Sequence, residues 1–300
     1  MTQITPAFCG LVALIGRPNV GKSTLLNILL GQKISITSRK PQTTRHRITG
    51  IDTRGQYQAV FVDTPGIHQT QTSAMNRYMN RAAISTIADV DVTVFIVDRL
   101  SWGEEDDLVV KGLMAARSPV ILVLNKIDRL TDKARLLPHI KTVASVFDWA
   151  EVIPLSAKTG YNIEQLRDAI YKRLPQQSHL YTADQITDRS ERFMASELIR
   201  EKLMRQCGDE LPYQVAVEIE SFQHQGNVIH INALIWVERE GQKKIIIGTK
   251  GERIKKIGQQ ARADMESLLD SKVMLKTWVK VRSGWSDDER ALRSLGYTDE

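Results

Sequence analysis

Residues 16–24 read GRPNVGKST, set between the apolar runs FCGLVALI (8–15) and LLNILLG (25–31). The stretch fits G-x-x-x-x-G-K-[ST], with Gly16, Gly21, Lys22 and Ser23 in the required places between a β-like and a helix-like segment. Backbone N–H groups in such a turn point inward, and a helix starting near Gly21 adds roughly half a positive charge at its N-terminus, so the loop suits phosphate. Lys22 is then expected on the β- and γ-phosphates, and Ser23 offers a hydroxyl to Mg²⁺, which prefers oxygen ligands in octahedral geometry. The whole loop, Gly16, Arg17, Pro18, Asn19, Val20, Gly21, Lys22, Ser23 and Thr24, is expected to line a nucleotide. Which nucleotide, and to what end, other residues must decide.

Outward from this loop, as far as about residue 174, the β-branched runs VFIVD (94–98), PVILVLN (119–125) and EVIPLS (151–156) alternate with amphipathic helical stretches. That is the pattern of a parallel βαβ sheet. One hairpin interrupts it: RITGIDTRGQYQAVFVD (47–63), whose two runs meet at Arg54-Gly55, predicts a single antiparallel strand. LPQQSHLYTADQITD (174–188) is polar, contains Pro175 and reads as a linker. Beyond it come a helix (190–208), two strands (213–222 and 227–238), a helical pair (245–269) and a strand (272–282), an α+β order. The expectation is an α/β P-loop domain over 1–175, a linker over 176–187 and an α+β domain over 188–300.

A chain of 300 residues with 42% hydrophobic and 25% charged content has the composition of two soluble globular domains. A net charge of +6 favours a polyanionic partner, either nucleic acid or an anionic membrane surface. The basicity is local: residues 239–282 hold twelve Lys or Arg against five Asp or Glu. Cys9 and Cys207 stand far apart in no metal-ligand spacing, which suits a reduced cytoplasmic protein. MTQITPAFCG lacks a basic region and the apolar run after it ends at Arg17, so neither a signal peptide nor a membrane span is expected. The absence of any recurring period of twenty to fifty residues excludes solenoids.

VLNKID (123–128) ends a buried strand and so puts Asn125, Lys126 and Asp128 at the carboxyl edge of the sheet, where open α/β sheets bind ligands. A carboxylate accepts two hydrogen bonds from guanine N1–H and N2–H₂, whereas adenine offers no such pair and would leave the charge unpaired, at a cost of about 1–3 kcal/mol or more. Asp128 therefore selects GTP over ATP. After the next strand, Ser156, Ala157 and Lys158 can bring a backbone N–H to guanine O6. VFVDTPG (60–66) places Asp63 where its carboxylate can hold a Mg²⁺-bound water, followed by Thr64, Pro65 and Gly66, whose N–H can reach the γ-phosphate. In SITSRKPQTTRHR (35–47), Thr44 is the candidate to complete the Mg²⁺ shell from a mobile segment, with Thr43 second. Lys22, Thr44, Asp63 and Gly66 form the catalytic set.

GRPNVGKS, QTTRH, DTPG, NKID and SAK resemble the motifs of the translation-factor-related small GTPases. Through GWSDDERALRSLGY (284–297) the whole chain is similar to the Era family, bacterial Ras-like GTPases with a C-terminal KH domain. The resemblance implies a P-loop GTPase domain followed by a type II KH domain, GTP hydrolysis, binding at the 3′ end of 16S rRNA, and a role in maturation of the 30S ribosomal subunit. A cytoplasmic monomer is expected, and the basic patch offers a second expectation of peripheral contact with anionic lipid at the inner membrane. After DTPG stands Ile67, where the Ras pattern has a water-orienting glutamine, so slow intrinsic turnover is expected. Asn19 is a candidate ligand for K⁺ beside the phosphates, as in similar potassium-stimulated GTPases, the alternative being that it braces the loop.

IIIGTKGERIKKIG (245–258) holds G-x-x-G, Gly248 to Gly251, with Thr249 and Lys250 inside it and Arg253, Lys255 and Lys256 following. In KH domains such a loop clamps about four nucleotides of single-stranded RNA. Ile246, Ile247 and Ile257 could line the adjacent groove or belong to the core; Trp278, Trp285 and Tyr297 could stack bases or cover the domain, covering being the preferred reading. Three rival readings are weaker. NKID opposes an ATPase or kinase, intact Lys22, Ser23 and Asp63 oppose a vestigial loop in a pure RNA-binding module, and the chain has no room for the folate-binding region of a tRNA-modifying GTPase.

Overall fold

In a computed structural model, residues 6–38, 40, 42–66, 74–79, 81, 89–114, 116–207 and 214–294 are described. Ile67 and Tyr297, singled out above, lie outside them. The chain divides into two units: Met1–Ser35, Thr44–Thr70 and Met79–Asp188 form the first, and Ile36–Thr43, Gln71–Tyr78 and Arg189–Glu300 form the second.

The first unit is built on six strands: β1 (Phe8–Ile15), β2 (Ile48–Arg54), β3 (Tyr57–Asp63), β4 (Val92–Asp98), β5 (Val120–Asn125) and β6 (Glu151–Pro154). Their order is β2-β3-β1-β4-β5-β6, and only the β2/β3 pair is antiparallel. The mostly parallel α/β sheet and its one reversed strand are as expected from sequence. β4 and β5 are covered on both faces, which is why they read as unbroken apolar runs rather than alternating ones. One face packs α2 (Glu104–Leu113) and α3 (Leu136–Ala144) through Phe95, Leu122, Val109, Leu113 and Val143. On the side of β2 and β3, α1 (Lys22–Leu30) and α4 (Ile163–Tyr171) bury Leu25, Leu26, Leu29, Leu166 and Ile170.

The polar stretch 176–187 is laid against this unit along its length. Pro175 O accepts from Cys9 N–H (3.1 Å), Gln177 Nε2 donates to Cys9 O (2.8 Å) and Ile186 O accepts from Ile51 N–H (2.8 Å). Thr187 Oγ1 closes the run on Thr49 O (2.7 Å), so the free edge of β2 is covered. The anchor is Gln58, fully buried on β3. Its Oε1 accepts from Leu180 N–H (2.8 Å) and Tyr181 N–H (3.0 Å), and its Nε2 donates to Tyr181 O (2.9 Å). No hydrophobic periodicity marks such a strap, because backbone and one amide hold it.

In the second unit α5 (Glu191–Gln206) precedes β7 (Val215–Gln225), β8 (Val228–Val237), α6 (Glu240–Ile247), α7 (Glu252–Leu269), β9 (Lys272–Val281) and α8 (Glu289–Ser294). β7 and β8 pair antiparallel, β8 and β9 parallel, and the helices cover one face through Leu198, Ile231, Ile235, Ile246, Ile257 and Ala261. Residues 36–43 also belong to this unit. Among the described residues no helix is long and apolar enough to cross a membrane.

Gln58→Leu removes the strap's anchor and strands three backbone groups, at a cost of about 2–3 kcal/mol. Calorimetry should show Tm lower by roughly 5–10 °C, and limited proteolysis should cut first between residues 176 and 187.

Candidate nucleotide and RNA sites

At the carboxyl end of β1 the chain turns at Gly16 (φ +146°), where a Cβ would come within 2.3 Å of Ile96 O, and at Gly21 (φ +105°), where it would strike the Asn125 side chain at 2.4 Å. Only glycine allows those approaches. Lys22, the first residue of α1, folds back so that Nζ donates to Gly16 O (2.8 Å) and Arg17 O (3.0 Å). Burial pushes its ammonium down to about 8, opposed by the nearby Asp63 carboxylate. Arg17 turns aside: its guanidinium meets Asp106 (3.3 Å) and the Ser101 hydroxyl (2.8 Å), an anchor for the loop.

Beside Lys22 lies a cluster of oxygens. Ser23 Oγ donates to Asp63 Oδ2 (2.7 Å) and stands 2.8 Å from Thr44 Oγ1, which is 3.5 Å from the same carboxylate oxygen. Ser35, which drew no notice in the sequence, adds its hydroxyl to Asp63 Oδ2 at 2.9 Å. Among the described residues Asp63 Oδ1 is buried without a hydrogen-bond partner, and burial raises the carboxyl's pKa against the opposing pull of Lys22, Ser23, Ser35 and Thr44. Hard oxygen donors around an orphaned carboxylate oxygen fit Mg²⁺ and its water ligands. When bound, Mg²⁺ offsets charge on the phosphate oxygens. Thr43 Oγ1 is engaged elsewhere, 2.7 Å from both Ser38 Oγ and Lys40 O, so of the two threonines Thr44 is the one at the cluster. Thr64 Oγ1 bonds Leu14 O (3.1 Å), and Gly66 packs on Pro18 so closely that a Cβ would lie 2.9 Å from its ring.

Asn125, Lys126 and Asp128, expected from sequence to read the base, stand at and just past the end of β5. Asn125 is 1% exposed; its Nδ2 donates to Val20 O (2.8 Å) and its Oδ1 accepts from Lys126 N–H (2.7 Å) and Ala157 N–H (3.0 Å). Lys126 Nζ bridges Asn19 O (2.5 Å) and Asp98 Oδ2 (2.7 Å). Burial raises Asp98's pKa, but Lys126 and Arg99 outweigh it and hold the carboxyl below its usual range. Motif reading passed over Asp98, although it ends VFIVD and lies opposite Asn125 in register. Asp128, in the turn Ile127–Arg129, is exposed and accepts from Ser156 Oγ (2.7 Å), while Lys158 is exposed next to buried Ala157.

In the second unit α6 ends at Gly248 (φ +72°), where a Cβ would come within 2.7 Å of Arg253 Cβ, and α7 begins after Gly251 (φ +79°). Between them Thr249 and Lys250 are exposed, as are Lys255 and Lys256, while Arg253 Nη1 donates to Ile245 O. Ile246 and Ile257 are core residues at 0% exposure, so they do not line a groove; Ile245 is the exposed isoleucine. Trp285 is fully buried, which leaves its ring no access to a base, whereas Trp278 is partly exposed.

Two family profiles match: 50S ribosome-binding GTPase over residues 11–126 and KH domain over 210–286. The chain is 60% identical over 299 residues to GTPase Era of Ectopseudomonas mendocina (strain ymp), and 61% identical over 299 residues to GTPase Era of Azotobacter vinelandii (strain DJ / ATCC BAA-1303); each alignment covers 100% of both chains. Among solved structures it is similar to a variant of Aquifex aeolicus Era bound to GDP·AlF₄⁻, with a TM-score of 0.94 and 37% identity over 97% of this chain and 99% of that one. The same figures hold for Era in complex with MgGDPNP and nucleotides 1506–1542 of 16S ribosomal RNA. With both profiles in one chain and whole-length identity of this order, the chain belongs to the Era family of GTPases.

Proposed function

We propose that this GTPase is a cytoplasmic switch whose KH domain holds single-stranded RNA near the 3′ end of 16S rRNA during maturation of the small ribosomal subunit. The observation that carries the switch is the convergence of Ser23, Thr44 and Asp63 on one oxygen cluster beside Lys22. Thr44 and Gly66 sit on segments next to that cluster, so their positions can report whether a γ-phosphate is present. Gly16 to Thr24 line the phosphates, and Lys22 neutralises charge developing on the transferred group. Asp128 reads guanine, with Asn125, Lys126 and the Ser156–Lys158 turn shaping its pocket. Slow turnover follows from Ile67, which has no group to orient water. K⁺ beside Asn19 rests on the resemblance, and matched K⁺ and Na⁺ turnover assays test it; equal rates remove it.

The RNA half of the reading is supported by the exposed Thr249-Lys250 loop, held open by two glycines at the start of α7 with Arg253, Lys255 and Lys256 behind it. The identity of the RNA comes from the oligonucleotide bound to the solved Era relative.

Asp128→Asn should weaken GTP binding about a hundredfold or more and transfer preference to xanthine nucleotides, since an amide offers a donor where the carboxylate had only acceptors; competition binding with the two nucleotides reads it. Combining Thr249→Asp with Lys250→Asp should weaken single-stranded RNA binding about tenfold or more and flatten its salt dependence, whose slope is about −0.7 per phosphate contacted. GDP affinity should be unchanged in that variant, and RNA affinity that survived the change would refute the clamp.

A further inference from the structure

Between β4 and α2 of the first unit the chain forms a short, tightly held platform. Ser101 N–H donates to Asp98 O (2.8 Å), Trp102 Nε1 donates to Asp107 Oδ1 (2.7 Å), and the Trp102 ring meets Phe95 edge-on at 6.0 Å. Of the four acidic residues that open α2, Glu104, Glu105, Asp106 and Asp107, only Asp106 is buried, at 0% exposure. Its Oδ2 accepts from Gly103 N–H (3.0 Å) at the start of the helix and stands 3.3 Å from Arg17 Nε, while its Oδ1 has no hydrogen-bond partner among the described residues. Capping Gly103 needs one acceptor, which an uncharged amide supplies as well. A buried charge with one oxygen idle is costly unless a cation offsets it, and here the cation is Arg17. Burial pushes the carboxyl up, and Arg17 opposes that push.

Arg17 belongs to the glycine-rich loop, whose backbone takes positive φ at Gly16 (+146°), Asn19 (+62°) and Gly21 (+105°). A backbone of that kind persists where its surroundings impose it. The platform holds the loop twice. Asp106 and Ser101 take the Arg17 guanidinium, the first at Nε (3.3 Å), the second by accepting from Nη2 at its hydroxyl (2.8 Å) and its carbonyl (3.0 Å). Asp98 Oδ2 accepts from Lys126 Nζ (2.7 Å), which reaches on to Asn19 O (2.5 Å). The first hold bears on the phosphate site, because Arg17 O is one of the two carbonyls that receive Lys22 Nζ, at 3.0 Å, with Gly16 O at 2.8 Å. We propose that Asp106 is a positioning residue for phosphate binding: by fixing Arg17 on the platform it fixes the carbonyl that places the Lys22 ammonium. The inference rests on the reading of residues 16–24 as a phosphate loop.

Full-length Asp106→Asn, Arg17→Met, Ser101→Ala and the Asp106→Asn/Arg17→Met double variant test it, each confirmed as folded by thermal unfolding. Competition against a fluorescent GDP, with Mg²⁺ present, reads the affinities of GMP, GDP and GTP. Asp106→Asn keeps the acceptor for Gly103 N–H and gives up the charge, so GDP and GTP should bind about tenfold or more weaker. Lys22 is placed at the β- and γ-phosphates, which GMP lacks, so GMP should lose about twofold at most. A substitution that merely loosened the domain would weaken all three alike. Arg17→Met should give the same split, and the double variant should be no worse than either single one, since both act through one ion pair. Ser101→Ala leaves α2 and its cap untouched; it should show a smaller split of the same kind and, with Arg17→Met, decides the matter if Asp106→Asn does not fold. Equal losses for GMP and GDP, additive losses in the double variant, or parental affinities in the three single variants would overturn the proposal. A parental protein that binds GMP as tightly as GDP would instead overturn the phosphate-loop reading on which it stands.

Discussion

The side-chain amide of Asn125 ties together the loops that follow β1, β5 and β6. It donates to Val20 O in the glycine-rich loop and accepts from the N–H groups of Lys126 and Ala157. Only an amide of this length has a donor at one end and a doubly accepting oxygen at the other. Gly21 leaves room for it, because any Cβ there would collide with the amide nitrogen. Lys126 repeats the tie one residue on, through Asn19 O and Asp98. Of the residues in NKID, the first two are therefore braces for loops at the end of the sheet. Asp128 stands out from them with an exposed carboxylate.

A second constraint is the cost of burying Asp63. Its carboxylate is fully enclosed, with one oxygen surrounded by hydroxyls and the other lacking a hydrogen-bond partner among the described residues. Such a group is expensive unless a cation compensates it. The fold holds it in place because β3 is hydrogen-bonded on both sides, to β1 and β2, up to the residue itself. Rigidity at the strand end and dependence on a divalent cation thus have one origin. In the second unit the opposite holds: two glycines with positive φ flank Thr249 and Lys250, which are exposed.

Much of this was legible in the sequence because parallel strands announce themselves as apolar runs and their carboxyl ends are where short polar motifs follow. GRPNVGKS, DTPG and NKID each fall at such an end, and RITGIDTRGQYQAVFVD turns where its glycine says it should. What escaped was held by groups that carry no periodic signal. Residues 176–187 look like a polar tether but are strapped down by backbone bonds and Gln58. Asp98 and Ser35 act through neighbours distant in sequence. Ile246 and Ile257 could not be told apart from groove residues, since a core and a groove use the same side chains, and solvent exposure alone separates them. Arg200 and Glu201 look like ordinary helix-surface charges, and their burial depends on a segment more than 150 residues earlier.

If Asp128 recognises a guanine edge while the Lys22 turn holds the phosphates, the protein must tell GDP from ADP. Titration calorimetry of GDP and of ADP into nucleotide-free protein, with Mg²⁺ present, measures this most directly. GDP should bind tighter by roughly a thousandfold or more, as expected where a site built to accept hydrogen bonds meets a base that cannot donate them. Comparable affinities for the two nucleotides would contradict the account.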